Sequence, residues 1–143
     1  MTPLQLLLLD THIWVWFVES DASQMSNKAI EFVKRASERG EVLVSDISFW
    51  EVANKSAKGK LSLSIETVLW LKRASEGPGA SYLPIERSAL IQSMRLVGTP
   101  PRDPADRILI ATAQLNNATL VTTDKEIIDY ARSNPSVSVY DAR

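Results

Sequence analysis

The sequence predicts an α/β fold, a parallel sheet with helices on both faces. Two observations predict it. Short apolar runs of strand length alternate with longer segments whose apolar residues recur at helical spacing. Strand, helix, strand in succession demands parallel pairing, because each helix carries the chain back to the edge where the next strand starts. Two apolar strands also run directly into an acid that opens a helical segment, at Asp10 and at Asp124. In folds of this class ligands bind beyond the carboxyl ends of the strands, where strand order switches.

Leu4 to Asp10 reads as the first strand, buried on both faces because apolar residues fill it without alternation. A short helix follows over Thr11 to Val18. Ser26 to Glu38 has Ala29, Ile30, Val33 and Ala36 on one helical face and Gly40 as its stop. Val42 to Val44 is a short strand. Asp46 to Lys58 is helical, with Ser45 or Asp46 as cap and Gly59 as terminator. Ser64 to Glu76 is a helix closed by Gly77-Pro78-Gly79. Tyr82 to Ile85 is a strand and Glu86 to Leu96 a helix. A loop through Gly98-Thr99-Pro100-Pro101 precedes an apolar helix over Pro104 to Asn116. Thr119 to Thr123 is a strand, Lys125 to Arg132 a helix, and Val137 to Tyr140 a last strand.

With 143 residues and no linker, repeat or low-complexity segment, one domain over residues 1–143 is expected. There is no cysteine, so disulfides, thiolate metal sites and thiol nucleophiles are excluded. Neither a signal peptide nor an apolar run of about 20 residues is seen, which agrees with a cytoplasmic protein and no membrane. The net charge of −1 and pI of about 5.8 give no basic footprint for nucleic acid. Acids gathered at a metal site would lower that net charge without describing the rest of the surface.

Asp10 raises the sharpest question, because burying an unpaired carboxylate costs several kcal/mol. Each acid has a plain reading. Asp10, Asp103 and Asp124 are well placed as N-caps, and Asp106 suits the first turn of a helix whose Pro104 stands at its first position. Ser48 and Glu51 match a capping box, but only if the helix starts at Ser48. Taken together the acids say more. Asp10, Asp106 and Asp124 fall on one edge of the predicted sheet, and Glu51 reaches it from the helix after the second strand. Carboxylates so gathered raise each other's pKa. A hard divalent cation, Mg²⁺ or Mn²⁺, resolves the conflict. Such a site commonly binds substrate phosphates, and the metal activates water and stabilises a departing oxygen.

Other machinery is thin. His12 is the lone histidine, and both a local packing role and a site role are open to it. There is no G-x-S-x-G, Walker A or G-x-G-x-x-G sequence. Lys55, Lys58 and Lys60 in NKSAKGK are candidates for gripping phosphates, or simply a solvated helix end favoured by the dipole. Trp14, Trp16, Phe17, Phe49, Trp50 and Trp70 are core or partner surface.

The stretches LLLDTHIWVW, SDISFWEVANK, RDPADRILIATAQL and LVTTDKEI resemble, in order, the acidic motifs of PIN-domain nucleases, and more narrowly of VapC-type toxins from prokaryotic toxin–antitoxin pairs. The resemblance runs from about Leu6 to Tyr140. It implies a three-layer α/β/α sandwich with a central mainly parallel sheet. It also implies a metal-dependent endoribonuclease with an RNA substrate, a cognate antitoxin and a homodimer. Asp10, Glu51, Asp106 and Asp124 match the four family acids, and Asp103 an additional acid before the third. Thr11 and Thr123 match polar residues beside the first and fourth acids, with Thr123 expected to orient a carboxylate or a metal-bound water. Arg107 is expected to touch the substrate backbone or neutralise the cluster. The rival functions are a PIN-fold binding module without catalysis and a receiver-like phosphoacceptor domain using Mg²⁺. The receiver reading wants paired acids after the first strand, where LDTH has one.

Overall fold

The computed structural model describes residues 5–143, and the sequence elements form almost where periodicity places them. The strands are β1 (Leu7–Leu9), β2 (Val42–Ser45), β3 (Ser81–Leu83), β4 (Thr119–Thr122) and β5 (Val139–Asp141). The helices are α1 (Thr11–Glu19), α2 (Asn27–Glu38), α3 (Ile47–Ala57), α4 (Thr67–Glu76), α5 (Arg87–Ser93), α6 (Pro104–Leu115) and α7 (Lys125–Ser133). Leu4, the expected start of the first strand, lies outside the described residues.

All pairings are parallel and the strand order is β3-β2-β1-β4-β5. The chain builds outward from β1 to β3, then crosses back to lay β4 on the other side of β1. The order therefore switches between β1 and β4, whose register sets Leu9 opposite Val121. The next residues, Asp10 and Thr122, meet at the carboxyl edge.

The continuous leucine run is explained by two cores. Leu7 and Leu9 face one side of the sheet, with Trp14, Val33, Val52 and Trp70. Leu8 faces the other, with Leu109, Ile110, Leu120 and Ile127. Successive strand side chains point to opposite faces, so a strand between two helical layers needs apolar residues at every position. Each such leucine contributes about 1.5–3 kcal/mol by burial. This is the three-layer α/β/α sandwich. Among the described residues no helix is long and apolar enough to cross a membrane.

Boundaries differ where a side chain found a better partner than the expected cap. Helix α4 starts at Thr67, because Glu66 accepts from the amides of Val68 and Leu69 at 3.0 Å each. Ser64, the expected start, instead donates from its amide and hydroxyl to Glu19 at the end of α1, at 2.8 and 2.7 Å. Helix α5 ends at Ser93, short of Leu96. A 3-10 turn at Ala22–Gln24 was not expected.

Candidate active site

The site is assembled at the switch point from the ends of β1 and β4 and the starts of α3, α6 and α7. Asp10 follows β1 and is 6% exposed. Both its oxygens are engaged by neutral donors: Oδ1 accepts from the Thr11 amide at 2.7 Å, and Oδ2 from the Thr122 hydroxyl at 2.6 Å. The Thr122 Oγ1 in turn accepts from the Asp124 amide at 2.9 Å. One hydroxyl thus ties the first acid to the loop that carries the fourth.

Helix α3 starts at Ile47, whose amide donates to Ser45 Oγ at 3.2 Å. The Ser48–Glu51 capping box does not form. Glu51 falls in the second turn and is 4% exposed. Its Oε1 accepts from the Thr11 hydroxyl at 2.6 Å. Thr11 has one proton to give, so the 2.8 Å contact between Thr11 and Ser48 is a bond donated by Ser48. The other Glu51 oxygen, Oε2, lies 3.5 Å from Lys55 Nζ, one helical turn along.

Asp103 caps α6, accepting from the Asp106 amide at 3.1 Å, and Pro104 occupies the first helical position. Asp124 caps α7, accepting from Glu126 and Ile127. The plain N-cap reading therefore holds for Asp10, Asp103 and Asp124. It does not account for the electrostatics. Burial and the charges of Asp10, Asp103, Asp124 and Glu51 push the Asp106 carboxyl up to about 8. Asp10 is raised above the ordinary carboxylate range, mostly by burial and also by Glu51, against the opposing bond from Thr122 and the nearby His12.

Three expectations are adjusted by the geometry. The hydroxyl that orients a carboxylate belongs to Thr122; Thr123, half-buried beside it, makes no side-chain hydrogen bond to these acids. The register explains the offset of one, because alternate strand residues face opposite sides and only Thr122 comes level with Asp10. Arg107 neither neutralises the cluster nor faces it as an ion pair. Its Nε donates to the Pro101 carbonyl and ties down the loop before α6. Of the three lysines in NKSAKGK, Lys55 pairs with an acid while Lys58 and Lys60 are exposed.

The aromatic set divides. Trp14 packs against Phe49, Trp70 and Tyr82 in the core. Trp16 and Phe17 are half-buried, and Trp50 is 60% exposed. His12 leans on Trp16 with ring centroids 5.9 Å apart. Thr122, Ser48 and the Lys55–Glu51 pair are the elements that sequence reasoning did not assign. The i, i+4 spacing of Glu51 and Lys55 was the legible signal for the last.

The donor set suits a hard divalent cation: carboxylate oxygens only, mutually repelling, with Lys55 the one basic side chain ion-paired to these acids among the described residues. As the side chains stand, no three acidic or histidine groups among the described residues are gathered around a single point.

Comparison with known proteins agrees with this architecture. The PIN-domain family profile matches residues 7–133. Ribonuclease VapC22 of Mycobacterium tuberculosis is 28% identical over 129 residues, covering 90% of this chain and 95% of that protein. Two solved structures share the fold. One is DNA-bound VapBC from Salmonella typhimurium, with a TM-score of 0.68 at 16% identity, covering 97% of this chain and 99% of that one. The other is VapBC2 from Rickettsia felis bound to a promoter DNA fragment, with a TM-score of 0.65 at 13% identity, covering 97% and 100%.

Proposed function

The chain belongs to the PIN-domain family, and from that premise we propose that it is the toxin of a toxin–antitoxin pair, an endoribonuclease that depends on a divalent cation. The observation that carries the reading is that acids at the ends of β1 and β4 and on α3 and α6 lie near enough to the sheet's switch point to raise the Asp106 carboxyl, with Lys55 the one basic side chain ion-paired to them among the described residues. Asp10, Glu51, Asp106 and Asp124 are the residues that would hold Mg²⁺ or Mn²⁺, and Asp103 supports Asp106 from the helix cap. The bound cation supplies a Lewis acid for a phosphodiester and makes water acidic enough to attack it.

The chain's own part is orientation. Thr122 and the Thr11 amide hold the Asp10 carboxylate from both sides, so its position is set before anything binds. Ser48 and Thr11 form a relay of hydroxyls that fixes Glu51. Fixed ligands cost little reorganisation when charge develops on a phosphate. A half-buried Asp106 with a raised pKa would lose its proton to water more readily once a bound cation offset the charges of its neighbours.

RNA is the substrate this reading assigns, in line with the ribonuclease name of the 28% identical relative. The protein partners this reading gives it are a cognate antitoxin, in line with the VapBC complexes that share the fold, and a second copy of the chain. The test is cleavage of total cellular RNA by antitoxin-free protein in Mn²⁺, in Mg²⁺ and in EDTA, with Asp10→Asn alongside. Discrete fragments that need both metal and Asp10 are expected. Cleavage that survives EDTA or Asp10→Asn overturns the site; no cleavage in any condition favours a binding module that has kept the fold and lost catalysis.

A further inference from the structure

The acids of the site are not held alike. Asp10 is held by an amide and a hydroxyl, both neutral. Glu51 is held on one side by the Thr11 hydroxyl and on the other by the Lys55 ammonium, 3.5 Å from Oε2. A hydroxyl and a metal ion can share a carboxylate without conflict. An ammonium and a metal ion repel each other across one, because a cation held by Glu51 would lie close to the Lys55 charge. The pair is also sheltered: Glu51 is buried and Lys55 half-buried, so water screens that repulsion less than on the open surface.

Lys55 has somewhere else to go. It lies in the third turn of α3, with part of its side chain in solvent. Its four-carbon stem carries a compact charge suited to a single phosphate oxygen. The other ion pairs among the described residues join Glu31, Glu41, Asp129 and Asp141 to arginines or to Lys125, and none of those acids belongs to the site. Among the described residues Lys55 is thus the one cation paired with the proposed site.

We propose that Lys55 is an exchangeable counter-ion: it occupies Glu51 in the metal-free protein, yields that carboxylate to the divalent cation, and turns its ammonium to the RNA phosphate beside the cleaved bond. The proposal rests on the metal-dependent reading above. It makes Lys55 a competitor of the metal and an ally of the substrate, two effects of opposite sign in one side chain. A lysine that merely stabilised α3 would produce neither.

The test measures Mn²⁺ affinity without RNA, by calorimetry, and steady-state cleavage of a defined RNA, for wild type, Lys55→Gln and Lys55→Arg. Lys55→Gln is expected to bind Mn²⁺ roughly threefold to tenfold more tightly, the scale of removing one nearby, partly screened charge. The same variant is expected to raise KM for RNA with little change in kcat, which marks lost ground-state contact to the phosphate. Lys55→Arg keeps the charge and should restore both values toward wild type. Unchanged or weaker Mn²⁺ binding in Lys55→Gln overturns the proposal, as does an unchanged KM. A wild-type protein that binds no Mn²⁺ would instead overturn the metal-dependent reading itself, so the two failures are distinguishable.

Discussion

Thr122 gives one hydrogen bond to Asp10 and takes one from the Asp124 amide, so a single hydroxyl couples the ends of the two strands that flank the switch point. Thr122→Val keeps the shape and removes both bonds. It should lower metal-dependent cleavage on the order of tenfold, the usual cost of losing a group that orients a ligand. Thr123→Val should stay close to wild type. A cleavage assay on the two variants, with circular dichroism to show that both are folded, decides between neighbours. The sequence could not decide between them. Asp10 and Glu51 are visible because each interrupts apolar text, and Asp106 and Asp124 because each stands at a helix start. Which of two adjacent threonines faces them depends on a register between residues far apart in the chain, which local pattern does not carry. Arg107 stays out of the cluster for a related reason: it follows Asp106 directly, but consecutive helical residues point about 100° apart, and its Nε donates to the Pro101 carbonyl.

At the scale of the element, α6 shows a residue with two possible duties. Asp103 caps the helix and also adds its charge to the pressure on Asp106. Substitution separates them, because Asn is as good a cap as Asp and carries no charge. Asp103→Ala should cost about 1 kcal/mol of stability in thermal or denaturant unfolding, and Asp103→Asn much less. We expect Asp103→Asn to keep most of the cleavage activity, which would mark this acid as a cap. Loss of cleavage in Asp103→Asn with unchanged stability would make it a ligand. The elements themselves were legible because both cores impose period on the chain: helices α2 and α7 each show one apolar face, and β1 and β2 show none of the alternation of a half-exposed strand. Boundaries were less so. The start of α4 turned on Ser64 being drawn to Glu19 of α1, a contact across 45 residues that no local cap rule anticipates.

For the whole molecule, the acidic edge makes stability depend on pH in a direction opposite to ordinary acid denaturation. Asp106 has a pKa of about 8 in the folded chain against 3.8 for an ordinary aspartate. Between these values the unfolded chain releases a proton that the folded chain keeps, so rising pH favours unfolding. The stabilising contribution is complete below about pH 4 and is lost as pH climbs through 8. Protein stripped of metal in EDTA should therefore melt lower at pH 8.5 than at pH 6. Asp106→Asn should flatten that slope and gain roughly 1–2 kcal/mol at the higher pH, a figure kept well below the full shift because the carboxyl is partly open to water. Scanning calorimetry of both proteins across this range is the check. A slope that survives in Asp106→Asn would place the strain on another group.

The crossover that lays β4 beside β1 has a consequence in time. Asp10 leaves the ribosome early, but the hydroxyl that aligns it belongs to a residue 112 positions later. Asp106 and Asp124 come late as well. Chains grow at about 5–20 residues per second, so several seconds pass in which the polypeptide holds only Asp10 and Glu51. A half-made chain therefore lacks two of the four acids of the proposed site. For an enzyme proposed to cut the RNA of its own cell, the danger begins only when β4 is in place, and a restraining partner has that interval in which to be made.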